Sequence, residues 1–250
     1  MKLDCIKVKA SDREYDFHYR ESSVGDRGVI EQIFTNSDYK LDHWHQGRAL
    51  FNYYNQQSES HPCLIVDAGA NIGASALYFL NTFKKSFLFT IEPEINNWHI
   101  LEINTVDFDN KFNMHGAIAE QDGELTLVDP GLSDWGFRVT NLNSKTVGAR
   151  KTKTVKSISP VSVLNHPECQ GTVPLLFKVD IEGAEELLFR GDTSWMNQFP
   201  CLIIELHDWM LPFSGSSRNF LSAVAKYDFD FIHRGENIFL FNRAILTKYL

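Results

Sequence analysis

Acidic side chains stand at the ends of four apolar segments, and they are the residues of this chain best suited to chemistry. They are Asp67, Glu92, Asp180 and Glu205, and His207 follows the last of them. Carboxylates and imidazole can accept hydrogen bonds from hydroxyl groups, take up a proton or bind a cation. If the apolar segments are parallel strands, their carboxyl ends form the edge of the sheet at which ligand clefts occur.

A glycine-bearing turn follows the first of these segments. Residues 67–73 read D-A-G-A-N-I-G, and the apolar run 74–80 that follows predicts a helix. Such a turn brings backbone N–H groups and a helix N-terminus close to a ligand. Its first position holds Asp67, where the dinucleotide fingerprint G-x-G-x-x-G has glycine. A carboxylate there would repel a pyrophosphate and attract an ammonium group, so we predict S-adenosylmethionine as the ligand.

A second acid stands at the spacing that a nucleoside-binding site requires. Glu92 ends the apolar segment 85–91 and lies 19 positions after Gly73. In doubly wound nucleotide-binding folds, an acid about 20 residues beyond the glycine turn binds the ribose hydroxyls. Pro93 ends the strand and stiffens the turn that carries this acid. We therefore predict that the Glu92 carboxylate accepts hydrogen bonds from both ribose hydroxyls.

The remaining cofactor contacts are predicted from the turn, the third strand and the strand before residue 180. Asn71 is expected both to cap the helix and to contact the ligand from a left-handed conformation. Ala117 and Ile118 are expected to run past the adenine, with ordinary strand core as the alternative. The full predicted set is Asp67, Gly69, Ala70, Asn71, Gly73, Ser75, Glu92, Ala117, Ile118 and Asp180.

Three ionic residues alternate with apolar ones near residue 180. Lys178, Asp180 and Glu182 would point to one side of a strand. They would be costly if buried without partners, but the carboxyl edge of a sheet offers them a cleft. All three are candidate catalytic residues, with Asp180 expected where methyl donor and acceptor meet. The alternative is a structural Lys178–Asp180 pair, with Glu182 favouring the N-terminus of the next helix.

Glu205 and His207 alternate in the same way at the end of the apolar segment 201–206. Methyl transfer to a hydroxyl must remove a proton, and histidine titrates close to neutral pH. His207 is therefore the predicted general base, with Glu205 as a further catalytic candidate. The alternative is that Asp180, Glu182, Glu205 and His207 bind a divalent cation that lowers the pKa of the hydroxyl. That alternative is not favoured, and no metal is predicted.

Residues 129–157 are polar and rich in Gly, Thr, Ser, Asn and Lys, which is typical of a binding loop or of a poorly ordered segment. Trp135, Phe137 and Arg138 interrupt the loop. An aromatic ring beside a cation suits stacking on a sugar, although anchoring of the loop is an equal alternative. Trp135 and Arg138 are the predicted acceptor contacts.

The composition restricts the class of protein. The net charge of −8 over 250 residues argues against a nonspecific nucleic-acid binder. No run of 18 apolar residues is present, so no membrane span is expected. Met1–Cys5 lacks an apolar signal region, and the four cysteines have no metal-ligand spacing. These observations predict a cytoplasmic protein that acts on a small molecule or carbohydrate; they do not indicate an oligomeric state.

Strands and helices alternate from residue 61 onward, which predicts a parallel sheet. The predicted strands are 63–67, 87–91, 112–118, 175–180 and 201–206, followed by an antiparallel pair at 229–233 and 237–242. This is a doubly wound, Rossmann-like α/β fold with a mostly parallel seven-stranded sheet. We expect residues 61–250 to form the cofactor-binding domain, with an acceptor loop inserted at about 122–157. Residues 1–60 are expected to form a strand and helix extension that packs on this core.

Three segments resemble a known family in their order and spacing. They are V-D-A-G-A-N-I-G at 66–73, I-E-P at 91–93 and F-K-V-D-I-E-G-A-E at 177–185. Together they resemble the FkbM-type methyltransferases, a branch of the class I S-adenosylmethionine-dependent methyltransferases. The K-x-D-x-E-G-x-E element is the most specific, and Gly191 and Asn104 also fit the pattern. The resemblance covers roughly residues 61–210, while the loop 129–157 matches no motif.

The resemblance implies methyl transfer from S-adenosylmethionine to a hydroxyl, often on a sugar or a polyketide-like product, and does not identify the acceptor. Two alternatives stay open. One is an NAD(P)-dependent oxidoreductase on the same sheet, against which the missing first glycine counts. The other is a non-catalytic subunit that binds S-adenosylmethionine, against which the acids Asp180, Glu182 and Glu205 count weakly.

Overall fold

The computed structural model describes residues 1–129, 138–140, 151–210 and 212–250. Strands and helices alternate along most of the described chain. In chain order the elements are β1 (Leu3–Ala10), β2 (Arg13–Arg20), α1 (Val24–Ile30), α2 (His45–Gln57), β3 (Cys63–Ala68), α3 (Ala74–Thr82), β4 (Ser86–Glu92), α4 (Ile95–Asn104), β5 (Lys111–His115), β6 (Ala117–Ile118), β7 (Gly123–Asp129), β8 (Arg138–Thr140), β9 (Lys151–Ile158), α5 (Pro160–Leu164), β10 (Val173–Val179), α6 (Glu185–Leu188), β11 (Cys201–Glu205), α7 (Arg218–Val224), β12 (Phe229–Arg234), β13 (Asn237–Asn242) and α8 (Arg243–Leu246).

The predicted seven-stranded α/β sheet is confirmed. Its strand order is β12-β13-β11-β10-β3-β4-β5. Strands β5, β4, β3, β10 and β11 pair in parallel, and β13 pairs antiparallel with both β11 and β12. The chain runs outward from β3 to β5 on one side and continues from β10 to β11 on the other. The reversal of strand order therefore lies between β3 and β10, and ligands bind at the carboxyl ends of such a pair.

The central strand β3 is apolar because both of its faces are covered. All six residues of β3 are buried. Cys63 and Ile65 point into one hydrophobic cluster, with the N-terminal helices and α3, while Leu64 and Val66 point into a second cluster on the other face. Alternate side chains of a strand point to opposite faces, so a strand buried on both sides reads as a continuous apolar run. This packing fixes the position at which β3 ends.

The predicted third strand, 112–118, is two strands in two sheets. β5 ends at His115, and after Gly116 the chain leaves the large sheet as β6. A Cβ atom at Gly116 would lie 2.9 Å from the Lys156 carbonyl oxygen, so the chain crosses closely over β9 at this residue. β6 pairs with Ser157 and Ile158 of β9 instead of continuing beside β4.

The segment 129–157, expected to be a binding loop or a poorly ordered segment, ends in a regular strand. β9 occupies Lys151–Ile158 and pairs antiparallel with β7, which also pairs with β8. Together with β6 they form a four-stranded sheet in the order β6-β9-β7-β8. Segment 151–158 reads K-T-K-T-V-K-S-I, so its β-branched residues were a strand signal hidden by the lysines.

The side-chain amide of Asn104 connects the N-terminal hairpin of β1 and β2 to the glycine turn at residues 67–73. The Asn104 Oδ1 atom accepts the His18 N–H at 2.7 Å, and its Nδ2 donates to the His18 carbonyl at 2.9 Å. Nδ2 also donates to the Ile72 carbonyl at 2.8 Å. Asn104 therefore holds β2, α4 and the glycine turn in one arrangement. Among the described residues, no helix has the length and apolar character to cross a bilayer.

Candidate active site

Four backbone N–H groups of the glycine turn, residues 67–73, already donate hydrogen bonds to acceptors within the chain. The Gly69 and Ala70 N–H groups both donate to the Ile91 carbonyl, at 2.9 and 3.2 Å, and the Gly73 N–H donates to the Ala70 carbonyl. The Asn71 N–H donates to the Glu92 Oε2 atom at 2.8 Å. The expectation that this turn offers bare N–H groups to a ligand is therefore wrong for these four residues. A turn with its donors satisfied is a poor cradle for phosphate.

Asp67 lies beneath the turn, where its carboxylate is fully buried. Its Oδ1 atom lies 3.0 Å from Lys178 Nζ, and its Oδ2 atom accepts the Ser75 hydroxyl at 2.6 Å. Direct contact between Asp67 and the ammonium group of a ligand does not fit this burial. Asp67 and Ser75, both predicted cofactor contacts, instead hold β3 to β10 and to the start of α3.

Lys178 is enclosed by oxygen atoms, and its side chain is 3 % exposed. Its Nζ atom donates to the Gly69 carbonyl at 2.8 Å and lies 3.5 Å from Asp180 Oδ2, in addition to its pair with Asp67. Burial opposes the charge, but Asp67, Tyr39 and Asp180 outweigh it and raise the pKa of Lys178. Within the described chain, the ammonium donates one hydrogen bond, to Gly69, and is held by Asp67 and Asp180 as ion-pair partners. The predicted catalytic candidate Lys178 is thus a positioning residue.

Two glycines permit close approach at the turn. Gly69 has φ +79°, and a Cβ atom there would lie 1.7 Å from the Asp180 carbonyl oxygen. Gly73 has φ +91° and begins α3, so it takes the capping position that was predicted for Asn71. Asn71 does adopt the predicted left-handed conformation, with φ +49°. Its Oδ1 atom is buried without a hydrogen-bond partner, which leaves an acceptor available at the turn.

Glu92 is held in place by backbone donors on both of its oxygens. Oε1 accepts the Glu94 N–H at 2.9 Å and Asn97 Nδ2 at 3.3 Å, while Oε2 accepts only the Asn71 N–H. Each carboxylate oxygen has two lone pairs, so Oε2 retains a free one. Burial raises the pKa of Glu92 to about 7, against the effect of these hydrogen bonds. The sequence did not single out Glu94 and Asn97, because acidic and amide residues are common at the start of any helix.

Ala117 and Ile118 do not form a free strand edge. Both are 3 % exposed, and both pair with β9. Ile118 packs in the same hydrophobic cluster as Val66, Phe89 and Ile91. The alternative of ordinary strand core therefore describes their side chains, and contact with an adenine stays a prediction.

Four carboxylates surround the buried imidazole of His207. Its Nδ1 atom lies 2.9 Å from Glu185 Oε1. Its Nε2 atom lies 3.5 Å from Glu205 Oε1, 3.6 Å from Glu182 Oε2 and 3.7 Å from Asp180 Oδ1. These residues come from the ends of β10 and β11 and from the start of α6, and Glu182 bends back towards the ring with φ +54°. We call Asp180, Glu182, Glu185, Glu205 and His207 the carboxylate–histidine cluster.

The charges of this cluster are strongly coupled. Burial would lower the pKa of His207, but the Glu185 and Glu205 hydrogen bonds and the Asp180 charge raise it to about 11. Burial and the neighbouring acids raise the pKa values of Glu182 and Glu205 to about 7. The acids around His207 thus favour the protonated form of its ring, which is a poor proton acceptor. The hypothesis that His207 is the general base near its ordinary pKa does not fit this geometry.

The site includes residues that the sequence reasoning did not select. Glu185 is fully buried and orients His207. The sequence indicates it only as the last acid of the K-x-D-x-E-G-x-E element. Tyr39 is 4 % exposed and lies near enough to Lys178 to influence its pKa; no local motif marks it. The predicted acceptor contact Trp135 lies outside the described residues. Arg138 is described only as the first backbone position of β8.

The buried ion pair gives a stability prediction. Lys178→Met should lower the free energy of unfolding by about 3–5 kcal/mol, because it leaves the Asp67 carboxylate buried with only Ser75 as partner. Adding Asp67→Asn should recover part of the loss by removing the uncompensated charge. Urea unfolding monitored by circular dichroism measures both effects. A loss below about 1 kcal/mol for Lys178→Met would show that the pair does not hold the two strands together.

The chain is similar to several solved structures and to one protein family. No curated protein sequence matches the chain. Solved structures with a similar fold include a fibrillarin pre-rRNA processing protein from Methanococcus jannaschii, at 11 % identity and TM-score 0.44, covering 95 % of this chain and 81 % of that one. An S-adenosylmethionine-dependent O-methyltransferase from Thermotoga maritima has 10 % identity and TM-score 0.38, covering 95 % and 77 %. A methyltransferase from Geobacter sulfurreducens has 15 % identity and TM-score 0.36, covering 89 % and 90 %.

The decisive match is to a family model, that of the methyltransferase FkbM domain, which covers residues 67–234. This span is about two thirds of the chain and contains the glycine turn, Glu92 and the carboxylate–histidine cluster. The chain belongs to the FkbM methyltransferase family and is an S-adenosylmethionine-dependent methyltransferase.

Proposed function

We propose that this protein transfers a methyl group from S-adenosylmethionine to a hydroxyl oxygen of a small molecule or carbohydrate. The observation that carries the proposal is the placement of the carboxylate–histidine cluster at the carboxyl ends of β10 and β11, one strand away from the turn after β3. A ligand held at the turn therefore has acidic groups beside it. Those groups can orient a hydroxyl and receive its proton.

The residues of the turn fit S-adenosylmethionine better than a dinucleotide. Glu92 Oε2 and the buried Asn71 Oδ1 atom both offer acceptors at the turn. The ribose diol and the ammonium group of S-adenosylmethionine are donors, whereas a pyrophosphate needs the N–H groups that the turn has already used. When bound, S-adenosylmethionine supplies an electrophilic methyl group on a sulfonium sulfur. This pairing of donors and acceptors also disfavours the NAD(P) alternative.

Within the cluster we assign proton acceptance to Glu182. Asp180 and Glu182 are the acids that reach the surface most, with side chains 27 % exposed. Asp180 lies 3.5 Å from the Lys178 ammonium, while the ion-pair partner of Glu182 among the described residues is the His207 ring. As the bond from acceptor oxygen to methyl carbon forms and the carbon–sulfur bond breaks, the hydroxyl proton passes to Glu182. Holding the reacting atoms in line supplies most of the rate.

The acceptor side of the proposed site is acidic and aromatic. The cluster and the net charge of −8 would repel a nucleic-acid backbone, which supports a neutral acceptor. Trp209 and Phe213, which follow His207 along the chain, are exposed by 63 % and 108 %. Exposed rings that follow the cluster so closely in the sequence suit stacking on a sugar or on an apolar product. We further propose that the insertion at about 122–157, with Trp135 and Arg138, completes the acceptor site of the domain 61–250.

The ribose assignment predicts a loss of affinity. Glu92→Gln should weaken S-adenosylmethionine binding by about 1.5–3 kcal/mol, the range for hydrogen bonds to a charged group. In the wild type, affinity should rise about tenfold from pH 6 to pH 8, because Glu92, with a pKa of about 7, must lose its proton to accept both hydroxyls. The neighbouring acid Glu94 is present in both the wild type and the Glu92→Gln variant.

Isothermal titration calorimetry at several pH values measures both effects. Glu186→Gln is the matched control, since Glu186 is 48 % exposed and pairs only with Arg190 among the contacts described. This control should leave affinity and its pH dependence unchanged. Equal affinity of the folded Glu92→Gln protein and the wild type would remove Glu92 from the ribose site.

The reaction itself is tested with S-adenosylmethionine labelled in its methyl group. Incubation with sugars and polyketide-like alcohols should place the label on oxygen, and acceptors whose hydroxyls are blocked should stay unlabelled. Glu182→Gln should reduce turnover by roughly 10²–10⁴-fold with nearly unchanged cofactor affinity, the usual effect of losing a positioned base. Label found on nitrogen or carbon would contradict O-methylation, and full activity of Glu182→Gln would contradict the assigned base.

A further inference from the structure

We propose that Asp180, Glu205 and His207 form a binding site for one divalent cation, with the His207 Nε2 atom and one oxygen of each carboxylate as ligands. The cation takes the place of the proton on Nε2, which is released to solvent. One potential ligand atom from each residue lies within 4.8 Å of the other two. The three residues come from the ends of two adjacent parallel strands, β10 and β11. The ligand atoms are therefore placed by the core of the fold.

The distances from Nε2 to two carboxylate oxygens are close to those between the ligand atoms of one metal ion. Nε2 lies 3.5 Å from Glu205 Oε1 and 3.7 Å from Asp180 Oδ1. Both distances exceed the roughly 2.7–3.2 Å of a normal N–H···O hydrogen bond. A metal bonded at about 2.1 Å holds neighbouring ligand atoms roughly 3.0–3.4 Å apart. A shift of a few tenths of an ångström would thus close these atoms around a cation.

The burial of His207 is a second, independent observation. Its side chain is only 2 % exposed, and Nε2 faces oxygens of Glu205, Glu182 and Asp180 at 3.5, 3.6 and 3.7 Å. Its other nitrogen, Nδ1, lies 2.9 Å from the fully buried carboxylate of Glu185. A carboxylate on the far side of an imidazole is the usual support of a metal-binding histidine, since it fixes the ring and its tautomer.

The charge of the cluster also calls for a cation. Four carboxylates, those of Asp180, Glu182, Glu185 and Glu205, lie within 3.7 Å of one imidazole. Four acids around one buried ring repel one another when they ionise, and charges that are partly buried without partners are costly. Lys178 compensates Asp180 only in part, because its closer carboxylate is Asp67. A divalent ion at Nε2 would neutralise most of the remaining charge.

The donor set narrows the choice of metal. Two carboxylates and one imidazole are a mixed oxygen and nitrogen set, which suits Mn²⁺ or another first-row divalent ion better than Ca²⁺. Glu182, 3.6 Å from Nε2 but outside the converging set, stays available as proton acceptor. A cation here would bind the acceptor oxygen, and this role rests on the proposed function. The existence of the site does not.

Mn²⁺ binding to the full chain tests the site without turnover. Electron paramagnetic resonance of added MnCl₂ at pH 7.5 should show one saturable site per chain. Asp180→Asn is the first variant to measure, because its side chain is 27 % exposed and Lys178 keeps Asp67 as partner. It should weaken Mn²⁺ binding by more than about 10-fold, whereas the control Glu186→Gln should not change it. Glu205→Gln and His207→Gln should behave like Asp180→Asn, with circular dichroism to verify folding.

The outcomes separate this proposal from the proposed function. Failure of the wild type to bind Mn²⁺, or equal binding by folded Asp180→Asn, would overturn the cation site. Saturable Mn²⁺ binding that is lost in the variants supports the site even if no hydroxyl acceptor is methylated. Methyl transfer to oxygen that proceeds equally well in chelator-treated protein would overturn the role of the cation in binding the acceptor and leave the proposed function standing.

Discussion

The buried pair of Lys178 and Asp67 is the interaction on which the arrangement of this site depends. It joins β10 to β3 at the point where the strand order reverses, and Lys178 also binds the Gly69 carbonyl and lies beside Asp180. One ammonium therefore sets the position of the glycine turn relative to Asp180, the first acid of the carboxylate–histidine cluster. The missing Cβ of Gly69 lets the two strand ends come this close, since an added Cβ would overlap the Asp180 carbonyl.

Two acidic groups on either side of this pair have different surroundings and, we propose, different tasks. Glu92 is held by backbone N–H groups and keeps one free lone pair, which suits the recognition of a neutral diol. The acids near His207 face an imidazole and one another with little other compensation. Such a cluster is costly in a folded protein unless an ion or a substrate completes it. Stability is thus reduced at the place where chemistry is proposed.

The sequence predicted the large sheet because both faces of its central strands are buried, so the apolar runs and the spacing of turns were unambiguous. It also selected the acids at the strand ends. It did not predict that Lys178 pairs across strands with Asp67, since residues 111 positions apart share no local pattern. The same limit hid Tyr39 and the partnership of Glu185 with His207. The raised pKa of His207 is likewise a product of its neighbours Glu185, Glu205 and Asp180, which outweigh the burial of the ring, and not of residue type.

A crystal structure of the protein with S-adenosylhomocysteine tests the central claim most directly, because this account ties the ribose to Glu92 and the reacting atoms to the carboxylate–histidine cluster. It predicts that both ribose hydroxyl oxygens lie about 2.6–3.2 Å from the Glu92 carboxylate, with the sulfur on the side of Asp180 and Glu182. Ribose bound away from Glu92, or a sulfur that faces away from the ends of β10 and β11, would contradict it.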